Sequence, residues 1–359
     1  MNKTSPFLIN SKSIVLGLAL FSMFFGSGNM IFPLQIGVNY STSWIVASLG
    51  FLISAVLLPL FGVIVLVQKK GSYMSVFNSL FPSYISEVYT AIILIVWIPL
   101  VSGPRCITSS HTAIQTALNA FGVSEISIYV FGFFYSALIA FILLQSSDYI
   151  RFIGKYLSPI LITIIGVMVM FSLKSTDATV IDIDENPLKK SFLNGYNTQD
   201  LIAAFFFSSS IYTYLVSEKE AKPRRILLSG GIIAAFVLAL VYGGLIYLSA
   251  KHSSYLNDNS KGTVFVGLSQ LFLGKNLGLL SSLFVAIACV TTSVALLSTF
   301  SEYLVKKISA SFKQAILITS LLCYLISCTG IDTITAVSNP ILQWLYPILV
   351  IVSIVSLLR

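Results

Sequence analysis

From Ser13 to Gln68 the chain carries no charged residue, and its apolar positions run on without the alternation of a barrel strand. A helix needs about 20 mostly apolar residues to cross a bilayer. The polar turn from Gly37 to Ser43 divides this first stretch into two such helices. Further runs lie near 85–104 (with a continuation to 118 left open), 127–146, 156–173, 195–216, 226–250, 277–301, 314–330 and 338–358. The pattern predicts an all-α integral membrane protein with ten transmembrane helices.

Composition removes the soluble alternative. Of 359 residues 56% are hydrophobic and 9% charged, against about 25% charged in a soluble domain. The net charge of +8 speaks to orientation. With a cytoplasmic N-terminus and ten crossings, fourteen of the 21 basic residues fall in inside segments, among them Lys69, Lys70, Arg151, Arg224, Arg225, Lys306 and Lys307. Six fall outside and Arg105 lies within a span, so the positive-inside rule is obeyed and both termini are expected in the cytoplasm. No basic run exceeds two residues, which argues against a nucleic-acid partner. There is no ATP-binding Walker motif, and the spans lack the paired Asp, His or His–Glu sets of an intramembrane enzyme. Cys106, Cys289, Cys323 and Cys328 lie in apolar stretches without metal or redox spacing. The N-terminal apolar run has no cleavage site and is read as a retained helix. The loop from Lys174 to Asn194, acidic in its middle, is read as a solvated outside connector.

The first span is a poor helix. Gly26, Gly28, Asn29 and Pro33 fall within eight residues, and in a helix interior Gly costs about 1 and Pro about 3 kcal/mol. Either the helix is broken there and its freed backbone groups bind something, or Gly-x-Gly permits a close helix crossing. A second interruption five spans later, from Phe192 to Asp200 and on through Ser208-Ser209-Ser210, favours the break, because interruptions at matching places in two halves mark a binding site. Whether the second break lies at Gly195–Asp200 or at the serines stays open. The expected organisation is one transport domain with halves 1–173 and 174–359.

Span eight carries Thr291, Thr292 and Ser293 after Ala288-Cys289-Val290. Such hydroxyls either bond back to their own helix or join free carbonyls around a hard monovalent cation such as sodium. Arg105 follows Gly103-Pro104. It is a functional charge if the helix continues, and an interfacial one if Pro104 ends it. His111 and His252 are read as loop or interface residues.

Several segments together resemble the branched-chain amino acid:cation symporters, the BrnQ-type carriers of the wider amino acid–polyamine–organocation superfamily. They are LALFSMFFGSGNMIFPLQIG, the Gly103-Pro104-Arg105 neighbourhood, IGKYLSPIL, NGYNTQDLIAAFFF, CVTTSVALLSTFSEYL and SNPILQWLYPILVIV. The resemblance implies a LeuT-type 5+5 inverted repeat with helices 1 and 6 broken, in a bacterial cytoplasmic (inner) membrane. It implies that Gly26, Ser27, Gly28 and Asn29 bind the amino acid's carboxylate. It further implies a sodium site of the Thr291 and Thr292 hydroxyls with the Ala288, Ser22 and Phe25 carbonyls. Tyr196, Thr198, Asp200, Phe207, Ser208 and Ser209 are substrate-binding candidates on span six.

The chain departs from the family pattern in having ten spans where twelve are typical, Ser27 where Ala is usual, and Ser208 where Gly is frequent. The expected function is sodium-coupled uptake of leucine, isoleucine and valine by alternating access. The added hydroxyls keep open a permease for Ser, Thr or an aromatic amino acid, and coupling to protons is a further alternative. Expected partners are the amino acid and membrane lipid, with no cofactor beyond sodium as coupling ion; the oligomeric state is not legible.

Overall fold

The computed structural model describes residues 10–119, 121–145, 149–172, 186–253 and 264–359, and every regular element among them is helical. Lipid offers the backbone no hydrogen bonds, so long apolar runs close their own N–H and C=O groups as helices. In chain order these are α1 (Ser11–Phe24), α2 (Ser27–Asn39), α3 (Trp44–Gln68), α4 (Ser83–Asn119), α5 (Ile128–Gln145) and α6 (Ile150–Val167). They continue with α7 (Pro187–Tyr196), α8 (Asp200–Ser217), α9 (Pro223–Lys251), α10 (Val264–Ile308), α11 (Phe312–Ser327) and α12 (Ile331–Leu358). Among the described residues seven stretches are long and apolar enough to cross a membrane, and α1 with α2, bent by 72° at a break, makes an eighth. The helix α11 and the Trp344–Leu358 part of α12 are shorter and apolar, and stand where spans nine and ten were expected. The acidic middle of the 174–194 loop lies outside the described residues. Its end is not a loop, because Asn186 caps a helix at Pro187–Tyr196 that leads directly into α8.

The bundle has a buried apolar core that includes Phe21, Phe25, Phe51 and Phe205, presents further apolar side chains on its outer surface, and keeps a set of polar ones inside. Leu49, Phe133, Phe134, Phe236, Leu240 and Leu321 are exposed, while Asn29, Asp200 and Thr291 are buried. The break is held at the centre: α1 and α2 both pack on α9, and α10 packs on α4.

Three helices contain a single π-helical turn, at Ile53–Leu57, Val96–Ser102 and Ile153–Leu157. All three have one cause. Leu58, Gly103 and Ser158, each the residue before a proline, donate their N–H to the carbonyl five residues back, on Ile53, Ile98 and Ile153. Proline lacks an N–H and its ring crowds the carbonyl four residues back, so the preceding turn widens to relieve both. The helix therefore continues through Pro104, and α4 runs on to Asn119. This decides the reading left open for Arg105: it lies inside a helix that crosses the bundle, not at a helix end.

The π turn at Ile153–Leu157 also brings α6 against α1. A Cβ added at Gly154 would overlap the Val15 carbonyl oxygen, and the Ser158 hydroxyl lies 2.7 Å from the Leu18 carbonyl, to which it donates. Gly154→Ala is accordingly expected to lower the melting temperature of the detergent-purified protein. Overpacking of this kind costs about 1–3 kcal/mol, and an unchanged melting curve would mean that this contact does not set the helix separation.

Candidate functional site

Helix α1 ends because its last turn folds back on itself. The Phe25 N–H bonds the Phe21 carbonyl and the Gly26 N–H bonds the Phe24 carbonyl, both at 2.8 Å. In a continuous helix the Gly26 N–H would serve the Ser22 carbonyl. Freed of that partner, Ser22 O accepts from the Thr291 hydroxyl at 3.1 Å and lies 3.3 Å from that of Thr292. Thr291 Oγ1 is also 2.8 Å from the Ala288 carbonyl on its own helix. Four oxygens from α1 and α10 thus meet at the break, just before Phe25, the C-cap of α1. A Cβ at Gly26 would sit 3.0 Å from Thr292 Oγ1 and Cγ2, so glycine there lets α10 approach. The Ser22 hydroxyl donates to Ser158 Oγ at 2.7 Å, which ties the same turn to α6.

Helix α2 starts at Gly26, with no side chain capping its first N–H groups. These donors, with the helix dipole behind them, make the N-terminus receptive to an anion. Three side chains converge next to it. Asn29 Nδ2 donates to Asp200 Oδ2 at 2.6 Å, the Tyr242 hydroxyl donates to the same oxygen at 3.2 Å, and Asn29 also reaches the Tyr242 oxygen. Arg105 Nε donates to Ser27 Oγ at 3.1 Å.

The second interruption lies at Asn197-Thr198-Gln199, between α7 and α8. Gln199 takes left-handed dihedrals, φ 67° and ψ 19°, uncommon for a residue with a side chain. Its Oε1 accepts from the Ser102 hydroxyl at 3.1 Å. The first N–H groups of α8 have no cap from Gln199; instead Leu201 N donates to the Tyr346 hydroxyl at 3.3 Å. The serines at 208–210 lie within a continuous helix.

Together these elements line one narrow cavity at the break. Its polar lining comes from Ser27, Asn29, Ser102, Arg105, Thr198, Asp200 and Thr292, and its apolar lining from Met23, Phe24, Trp97, Ala203, Phe207 and Leu296. The π turn of α4 contributes directly. A wider turn brings Trp97 and Ser102, five residues apart, toward one face, just ahead of Arg105 and Cys106. Phe207 packs against Trp97 (ring centroids 5.5 Å apart) and Phe24 (6.1 Å).

Of the residues singled out in the sequence, Gly26, Ser27, Asn29, Thr198, Asp200, Phe207 and Thr292 line this cavity, and Gly28 faces Arg105 across its edge. Ser22, Ala288 and Thr291 lie behind it in the oxygen cluster. Tyr196, Ser208 and Ser209 are not in the lining: the Tyr196 ring packs at a tilt against Tyr346, the buried Ser208 hydroxyl has no hydrogen-bond partner among the described residues, and the Ser209 carbonyl accepts from Thr213. Tyr242, Gln199, Ser102 and Trp97 were not anticipated. His111 bonds the Ile126 carbonyl, away from the cavity.

A family model described as branched-chain amino acid transport protein matches residues 9–359. The branched-chain amino acid permeases BraB and BrnQ of Bacillus subtilis (strain 168) are 28% and 29% identical to this chain; the alignments cover 96% and 94% of it and 79% of each permease. Among solved structures, Mhp1, a nucleobase-cation-symport-1 family transporter in a closed conformation with bromovinylhydantoin bound, superposes with a TM-score of 0.66. That match covers 93% of this chain and 74% of the other at 14% identity, a likeness of fold alone.

Proposed function

The chain belongs to the branched-chain amino acid transport protein family, and on that premise we propose that it is a symporter taking up leucine, isoleucine and valine with sodium. Membership makes it a membrane transport protein and not an enzyme. The finer reading is secondary active transport by alternating access through ten crossings in the bacterial cytoplasmic (inner) membrane, with both termini cytoplasmic. The two five-helix halves are 1–173 and 174–359, related as a LeuT-type inverted repeat.

One observation carries the ion assignment: the Thr291 and Thr292 hydroxyls meet the Ser22 carbonyl that the break in span one sets free. We assign Ser22, Phe25, Ala288, Thr291 and Thr292 as sodium ligands. Sodium there joins α1 to α10, so its binding biases the equilibrium between conformations by its differential affinity for them. Gly26, Ser27, Gly28, Asn29, Thr198 and Asp200 hold the charged end of the amino acid, and Phe207 with Phe24 and Trp97 takes its side chain.

A wall of hydrocarbon discriminates weakly by size, because one methylene is worth about 1–3 kcal/mol. Unlabelled leucine, isoleucine and valine are therefore expected to displace radiolabelled leucine from purified protein at similar concentrations. Serine and threonine, which would desolvate a hydroxyl against that wall, should compete poorly. Stronger displacement by serine, threonine or an aromatic amino acid than by leucine would reassign the substrate.

A further inference from the structure

We propose that Arg105 and Asp200 are a separated charge pair that reads the two ends of a zwitterion, Arg105 taking the carboxylate of the amino acid and Asp200 its ammonium. The inference rests on the amino-acid site proposed above. Between Glu87 and Glu125 Arg105 is the sole charged residue, and it sits in the middle of α4 facing the cavity. A guanidinium has five N–H donors, yet among the described residues its one hydrogen bond is from Nε to Ser27, and no carboxylate lies within ion-pair distance. Its Nη2 lies 2.9 Å from where a Cβ on Gly28 would be. Glycine there leaves the fork room at the uncapped start of α2.

Asp200 is the mirror case. It is 2% exposed, and Asn29 and Tyr242, both neutral donors, hold its Oδ2. Neutral hydrogen bonds orient a carboxylate without cancelling its charge. An isolated buried charge is costly, and geometry usually pairs it. Here two opposite charges line one cavity without touching each other. A ligand with a carboxylate and an ammonium on one carbon compensates both at once. A ligand with one of the two leaves the other group uncompensated. With its charges so placed, the side chain is left to the wall of Phe24, Trp97 and Phe207.

The test is competition binding on the purified full chain with L-leucine, leucinamide (ammonium without carboxylate) and 4-methylpentanoate (carboxylate without ammonium). Losing one partner of a buried charge pair is expected to cost roughly 100-fold in affinity, so the wild type should prefer leucine to each analogue by about that factor. In R105Q the leucine-to-leucinamide preference should fall to near parity, while R105K restores most leucine binding. In D200N the preference that collapses should be leucine over 4-methylpentanoate. Elution volume and melting temperature establish that each variant is folded. An R105Q protein that keeps the wild-type preference for leucine over leucinamide overturns the assignment, as does a folded R105K that binds leucine no better than R105Q. Wild-type protein that binds no neutral amino acid would instead overturn the proposed function, and this pair with it.

Discussion

Thr292→Ala is expected to remove sodium activation from leucine uptake while leaving a folded, membrane-inserted protein. The Thr292 hydroxyl lies 3.3 Å from the Ser22 carbonyl, a neutral contact worth about 0.5–1.5 kcal/mol to the fold. Its loss from a cation shell weighs more, because even outer-shell changes lower metal affinity by about 10–100-fold. The sodium concentration for half-maximal uptake should therefore rise by at least roughly tenfold with little change in melting temperature. Thr292→Ser keeps the oxygen and should keep the sodium response. If the alanine variant loses expression and transport in parallel, the hydroxyl serves packing and not the ion.

Gly28→Leu should reduce leucine binding to background. A Cβ at position 28 already meets Arg105 Nη2 at 2.9 Å and Cζ at 3.3 Å. The rest of a leucine side chain would push the guanidinium aside and fill the space between α2 and α4. The guanidinium is the far end of a flexible side chain and can swing, so the bundle is expected to tolerate the change while the site does not. Equilibrium binding of radiolabelled leucine, alongside melting temperature, separates the two effects. Leucine bound with wild-type affinity would contradict a substrate site at the start of α2.

The break in span one was legible because lipid makes Gly, Asn and Pro in a helix interior conspicuous. The place of the second break was not. Asn197-Thr198-Gln199 and Ser208-Ser209-Ser210 both interrupt the apolar run on paper. What separates them is that serine fits a regular helix turn, whereas Gln199 takes up a left-handed conformation. Arg105 was visible as an anomaly, but whether Pro104 ended the helix stayed open, because the widened turn that lets a helix pass a proline leaves no mark in hydrophobic periodicity. Tyr242 could not have been found. It sits in the apolar run FVLALVYGGLIYL, and it meets Asn29 and Asp200 only because α9 packs across the broken helix.

The hydroxyls of span eight show the same limit in another form. Sequence allows Thr291 either to bond back to its own helix or to serve the break, and its Oγ1 lies within reach of both the Ala288 and Ser22 carbonyls. A hydroxyl shared between two carbonyls is easily drawn to a cation that both carbonyls also face.

The most direct measurement is leucine accumulation by the purified protein in sealed proteoliposomes under an imposed inward sodium gradient, with no pH gradient. The account predicts transient accumulation above the outside concentration, abolished when potassium replaces sodium. Equal uptake with and without sodium, or accumulation that follows an imposed pH gradient instead, would contradict it.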